Sequence, residues 1–283
     1  MDKPHVFGEH EHLFGFHCKP DVCDIRGGNR RESKVAVLML TAGMLTNVGP
    51  SRLHVSLADA LSCKGLPSFR FDLSGIGESM AVGSQVSSLR RASSEVQQAM
   101  DMLQSEYGYT HFMLFGLCSG ADDAVASASE DERIVAACLM DACGYRTSGH
   151  LMPYIRLKYL PKLLSLSKWF ETIHHRFSRG RPTASTMPRG FDIREFPNRE
   201  QSERDLVALI DRGVRLQFVY TGGVVDYYSY SNQFFDMFPQ LQNRAEVCVV
   251  FQPQWDHVTM LREDRAELLQ TVVPWFESNA LAV

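Results

Sequence analysis

The chain has 283 residues, 45% hydrophobic and 22% charged, and 29 Lys and Arg against 33 Asp and Glu give a net charge of −4. Such a composition supports a sizeable core in one large α/β domain or two small ones, and its charge excludes the electrostatic footprint of a nucleic-acid-binding protein. No stretch approaches the ~18 apolar residues that span a bilayer, and the start, MDKPHVFGEHEHLFGF, lacks a signal-peptide run, so a cytoplasmic protein with no transmembrane segment is expected.

The segment HVFGEHEHLFGFHCKP reads as a hairpin, with Gly8 and Gly15 interrupting aromatic-rich runs. A polar loop, DIRGGNRRESK, leads to VAVLML (Val35–Leu40), a continuous apolar run of strand length covered on both faces. TAGMLTNVGP turns the chain into a helix carrying Leu53, Val55, Leu57 and Leu61 and ending at Gly65. The strand PSFRFDL and the turn SGIGES follow, then a long amphipathic helix with Leu89, Val96, Met100 and Leu103 on one stripe. HFMLFGLC is a buried strand, SGADDAVASASE a small-residue helix and IVAACLMDAC another strand. VRLQFVY and AEVCVVFQP are the last strands, and DRAELLQTVVPWFES is the closing helix.

Strands alternating with helices predict a mostly parallel sheet with helices on both faces. The exception is 148–201, where HLMPYIRLKYLPKLLSLSKWFETIHHRF precedes the Pro/Gly/Ser/Arg-rich SRGRPTASTMPRG. It reads as an inserted helical cap and loop, leaving 1–147 and 202–283 as the core.

The seven cysteines are odd in number and scattered without a CxxC pair, as expected of reduced thiols. Cys18 and Cys23 lie near His12 and His17 at a spacing that fits no standard zinc set, and no metal or cofactor is expected. Cys118 stands apart. Gly116 and Gly120 flank it at two residues on either side, between a buried strand and a small-residue helix. A nucleophile on a strained strand-to-helix turn needs tiny neighbours at those two places, whereas centring on Ser119 would put Leu117 and Ala121 there. The positive end of the following helix favours thiolate at Cys118. The competing reading is a buried structural cysteine.

The order of strand, G-x-C-x-G, helix, a later acid and a histidine after the last strand resembles the α/β-hydrolase fold. TAGMLTNVGPSR is similar to its oxyanion loop, FDLSGIGES to the turn after its fourth strand and QWDHVTM to its histidine loop. The chain looks most like serine-aminopeptidase-like hydrolases and small biosynthetic hydrolases with a GLC elbow, over roughly residues 35–276. The resemblance implies an α/β fold with a mostly parallel sheet, helices on both faces and an inserted helical cap. It also implies a triad of Cys118, His257 and Asp226, the acid following VRLQFVY where the family holds its third member. Asp141, at the end of IVAACLMD, is the alternative acid, and Asp256 points away if its loop is extended. Backbone N–H groups of Met44 and Ser119 would form the oxyanion hole, with Ala42-Gly43 replacing the commoner His-Gly. Asp72, Ser74, Gly75, Gly77 and Ser79 read as a structural turn, and Asp122 and Asp123 as first-turn carboxylates that complement the helix dipole.

A sulfur nucleophile forms a thioester, which suits acyl exchange. The expectation is a thioesterase or acyltransferase taking a small-molecule acyl substrate from coenzyme A or an acyl carrier protein. Residues 151–200 hold ten basic side chains against four acidic ones, a face that could dock an acidic carrier. The alternatives are carboxylester hydrolysis, dienelactone-hydrolase or Dieckmann-type cyclase chemistry, and a non-catalytic scaffold.

Overall fold

The computed structural model describes residues 2–20, 33–83, 86–158 and 197–282. Among them, eight strands form one sheet: β1 (Asp2–Phe7), β2 (Leu13–Cys18), β3 (Val35–Leu40), β4 (Ser68–Asp72), β5 (His111–Leu117), β6 (Ile134–Met140), β7 (Arg215–Thr221) and β8 (Val247–Gln252). Their spatial order is β1-β2-β4-β3-β5-β6-β7-β8. The expected hairpin is present as β1 and β2, and β2 runs antiparallel to both β1 and β4. The six strands from β4 to β8 are mutually parallel.

Strand periodicity divides the core. Ala36, Leu38 and Leu40 of β3 face one side with Phe112 and Leu114 of β5, under helices α2 (Ser88–Tyr107), α3 (Ser119–Glu130) and α5 (Arg199–Asp211). Val35, Val37 and Met39 face the other side with Met113, Phe115 and Leu117, under α1 (Leu53–Cys63) and α7 (Arg262–Ala280). This two-sided cover is why the central strands are continuous apolar runs. Ala121, Ala124 and Ala128 let α3 lie close on the sheet, directly behind the end of β5. Helix α2 stops at Gly108, whose φ of 70° closes it in the left-handed conformation.

Of the expected cap, Leu151–Lys158 forms helix α4, and residues 159–196 lie outside the described residues. Asn198 caps α5 by accepting from Gln201 N at 2.9 Å, and Leu206, Leu209 and Ile210 of that helix are buried in the core. The short helix α6 (Gln233–Met237) packs Phe234 beside Phe218 of β7.

Candidate active site

Five crossovers between parallel strands bring the ends of β3, β4, β5, β6, β7 and β8 to one edge of the sheet. At the centre of that edge, β5 gives way to α3 within a single residue. Cys118 is that residue, with φ 54° and ψ −119°, and its N–H donates to Met140 O at 2.8 Å. A side chain at Gly116 would strike the Gly120 carbonyl and come within 2.6 Å of Ala121 Cα. One at Gly120 would lie 2.6 Å from Leu40 O and 2.7 Å from Thr41 O. Both elbow glycines are therefore dictated by backbone-to-backbone approach around a strained centre. Helix α3 starts at Ser119 with its positive dipole end toward residue 118.

His257 lies in the loop after β8. Its Nδ1–H donates to Asp141 Oδ2 at 2.7 Å. Asp141 follows β6 directly, is buried and has a φ of 50°. Its carboxylate also accepts from Thr221 N and Thr221 Oγ1, each at 2.7 Å. The hydrogen bond to Asp141, then that to Cys118, raise the His257 pKa from 6.5 to about 10 against the opposing effect of burial.

The expected acid, Asp226, is not the carboxylate that meets His257; the alternative, Asp141, is. After β7 the chain enters a tight turn, Gly222–Val224, which Thr221 Oγ1 caps by accepting from Gly223 N at 3.1 Å. That turn carries Asp226 past the strand end, where its carbonyl accepts from Arg146 Nε at 2.8 Å. The space beside His257 is filled by Gly223 instead, where a Cβ would sit 2.6 Å from His257 Cβ. Asp256 shapes the histidine loop, its carboxylate accepting from Val258 N at 2.9 Å and Met260 N at 2.8 Å.

The loop after β3 is tied to the elbow by Gly43 N, which donates to Ser119 Oγ at 2.6 Å. Leu45 N donates to Ala42 O at 2.9 Å, so Met44 stands at the tip of a turn and is 81% exposed. Below it, buried Asp72 accepts from Asn47 N at 2.5 Å and Asn47 Nδ2 at 2.7 Å. Arg70 donates to Asn47 Oδ1 at 2.6 Å and to Asp2 Oδ2 at 2.5 Å. The turn after β4 thus holds its own bend and braces the loop that carries Met44. Ser79 Oγ donates to Asp72 O at 2.6 Å, in keeping with a structural turn.

Thr221, Asn47, Arg70 and Tyr227 are parts of this site that the sequence reading missed. Tyr227 donates to Asp141 O at 3.1 Å, and burial pushes its phenol pKa up. The adjacency of Thr221 to a glycine pair after a buried strand was the one usable clue. Asp122, read as a dipole-complementing residue, also accepts from Cys143 N at 3.1 Å, joining the first turn of α3 to the chain after Asp141.

Among the described residues no group of three or more His, Cys, Asp or Glu could hold a metal ion, and no helix is long and apolar enough to cross a membrane. His17 bonds Tyr109 through Nε2 at 3.0 Å, and Cys23 lies outside the described residues. Seven of the ten basic residues expected to form a docking face, Lys162 to Arg194, also lie outside them.

No family model and no curated protein sequence matches the chain. Solved structures do. An esterase of Pyrococcus furiosus superposes with a TM-score of 0.62 at 13% identity, covering 98% of this chain and 91% of its own. An alpha-beta serine hydrolase homologue from Coxiella burnetii gives 0.55 at 13% identity over 97% and 96%. A serine hydrolase without a lid from Xanthomonas campestris gives 0.54 at 13% over 97% and 94%. At such identities the likeness is one of architecture, and with the strand order and the turn at Cys118 it establishes that the chain has the α/β-hydrolase fold.

Proposed function

We propose that the chain is an acyl-processing enzyme in which Cys118 is the nucleophile, His257 the acid and base, and Asp141 the residue that orients His257. The observation that carries this reading is a thiol on a left-handed strand-to-helix turn, partnered by a histidine held 2.7 Å from a buried carboxylate. With a pKa near 10, His257 carries a proton at neutral pH that it can give to a leaving group.

In the proposed reaction the thiolate attacks the carbonyl carbon of an acyl thioester, forming a carbon–sulfur bond and an oxyanion. The backbone N–H groups of Ser119 and Met44 are the proposed donors to that oxyanion. Collapse breaks the donor's carbon–sulfur bond, and the leaving thiolate takes the His257 proton. An acceptor then adds to the acyl-Cys118 thioester while His257 removes its proton. Expulsion of the Cys118 thiolate restores the ion pair. With water the products are a carboxylic acid and the donor thiol; with an amine or alcohol, an amide or ester. A carrier-borne donor would meet the basic surplus of residues 151–200. Carboxylester hydrolysis by the same residues is a second reading, favoured by the likeness to the Pyrococcus esterase.

Intact-mass analysis after incubation with a panel of acyl thioesters tests the proposal. Wild type should gain one acyl group, His257→Ala should gain it more slowly, and Cys118→Ala should gain none. Absence of an adduct on wild type from every donor would overturn it.

A further inference from the structure

The loop after β3 carries one of the two proposed oxyanion donors, yet little among the described residues packs against its tip. Residues 43–46 are all exposed. Gly43 has a φ of 52°, and a Cβ built there would meet no described atom within 4 Å. The bond from Leu45 N to Ala42 O shapes this turn without tying it to the body of the protein. Hydrogen bonds at the two ends of the tip do that instead, in place of the contacts that hold a packed segment. At the far end, buried Asn47 donates to Asp72 through its backbone N–H and its side-chain amide. At the near end, Gly43 N donates to Ser119 Oγ at 2.6 Å. Ser119 opens α3 directly after Cys118, so its hydroxyl joins the elbow to the residue that precedes Met44.

We infer that the Ser119 side chain is a positioning residue for the oxyanion hole, setting the separation of the hole's two proposed donors. The inference rests on the proposed role of Cys118 and gives the Ser119 hydroxyl a task separate from that of its own N–H. The Ser119 N–H is placed by the start of α3, whereas the Met44 N–H is placed only as firmly as Gly43 is held. A donor stabilises an oxyanion when it lies about 2.7–3.1 Å from it, so a loop that drifts from the elbow gives up part of that stabilisation. Removing such a donor outright costs roughly 100- to 1,000-fold, and loosening one costs less. Water competes for this exposed bond, so losing it is worth one ordinary hydrogen bond, roughly three- to tenfold in rate. The penalty is confined to reactions that build charge on a carbonyl oxygen. Alkylation, in which the thiolate displaces iodide from iodoacetamide, forms no oxyanion and does not need the loop.

The test compares two reactions of Cys118 in wild type, Ser119→Ala and Ser119→Thr. Acylation by acetyl- to octanoyl-N-acetylcysteamine thioesters is followed by intact mass, and alkylation by iodoacetamide by peptide mass. Ser119→Ala keeps the backbone N–H and removes the acceptor for Gly43. It should lower the maximal acylation rate roughly three- to tenfold and leave the half-saturating donor concentration within about twofold. Its alkylation rate at Cys118 should stay within about twofold of wild type, because the thiol and His257 are untouched. Ser119→Thr keeps the hydroxyl and should recover most of the lost acylation rate. An equal fall in acylation and alkylation would mean that the elbow itself is disturbed, and would overturn the inference. So would an unchanged acylation rate in Ser119→Ala, a loss carried by the half-saturating concentration, or a loss that Ser119→Thr does not recover. Each of these leaves Cys118 acylation standing. Failure of every donor to acylate wild type is a different result, which removes the reading of Cys118 and this inference together.

Discussion

Asp141→Asn probes the most specific contact of the site. Asparagine matches aspartate in size and tolerates a left-handed backbone, here at a φ of 50°, so the change isolates charge. The carboxylate serves three donors at 2.7 Å: Thr221 N, Thr221 Oγ1 and His257 Nδ1. An amide offers one oxygen to those three, and its own NH₂ must face either the Thr221 N–H or the His257 ring. Losing a charge-assisted hydrogen bond costs about 1.5–3 kcal/mol, which at ~1.36 kcal/mol per decade is a loss of about 10- to 150-fold. A flipped imidazole tautomer would extend the loss toward ~10⁴-fold. The assay is the rate of acyl-Cys118 formation with one thioester, with Asp226→Asn as a parallel variant expected to stay within about twofold of wild type. Retention of the rate within about threefold by Asp141→Asn, or an equal loss in Asp226→Asn, would refute the assignment of the acid.

Three further outcomes are expected. Folding raises the His257 pKa from 6.5 to about 10, so its contribution to stability is complete below about pH 6.5 and is lost as pH rises through about 10. The melting temperature of wild type should therefore fall more across that window than that of His257→Gln, and parallel curves would contradict this. Iodoacetamide below pH 7 should alkylate Cys118 faster than exposed Cys63 or half-buried Cys248, and His257→Ala should remove the preference, as read by peptide mass. Gly116→Ala forces a methyl group into the Gly120 carbonyl and should lower unfolding free energy by about 1–3 kcal/mol in urea titration; an unchanged midpoint would contradict the packing described at the elbow.

The elbow was readable in the sequence because its constraint is local. Two glycines at fixed distances from Cys118, between an apolar strand and an alanine-rich helix, express one backbone geometry. The alternation of β3 and β5 between two cores was equally local. The acid was not. Asp141 and Asp226 each follow a buried strand, and β6 and β7 are neighbours in the sheet, so position along the chain leaves both in reach. The choice falls to the left-handed backbone at Asp141 and the Gly222-Gly223 turn, which no periodicity encodes. Asn47 and Arg70 escaped notice because their purpose arises only when the loop after β3 meets the turn after β4.

The order of strands has a consequence for when the proposed site is assembled. Cys118 and Asp141 end the adjacent central strands β5 and β6, whereas His257 arrives on the loop of β8 at the sheet's far edge. A chain in which β8 has not docked presents an elbow cysteine with no proton acceptor beside it. On the proposed role of Cys118, its nucleophilicity is a property of the finished molecule, and its rate of labelling would report whether the last strand has been added.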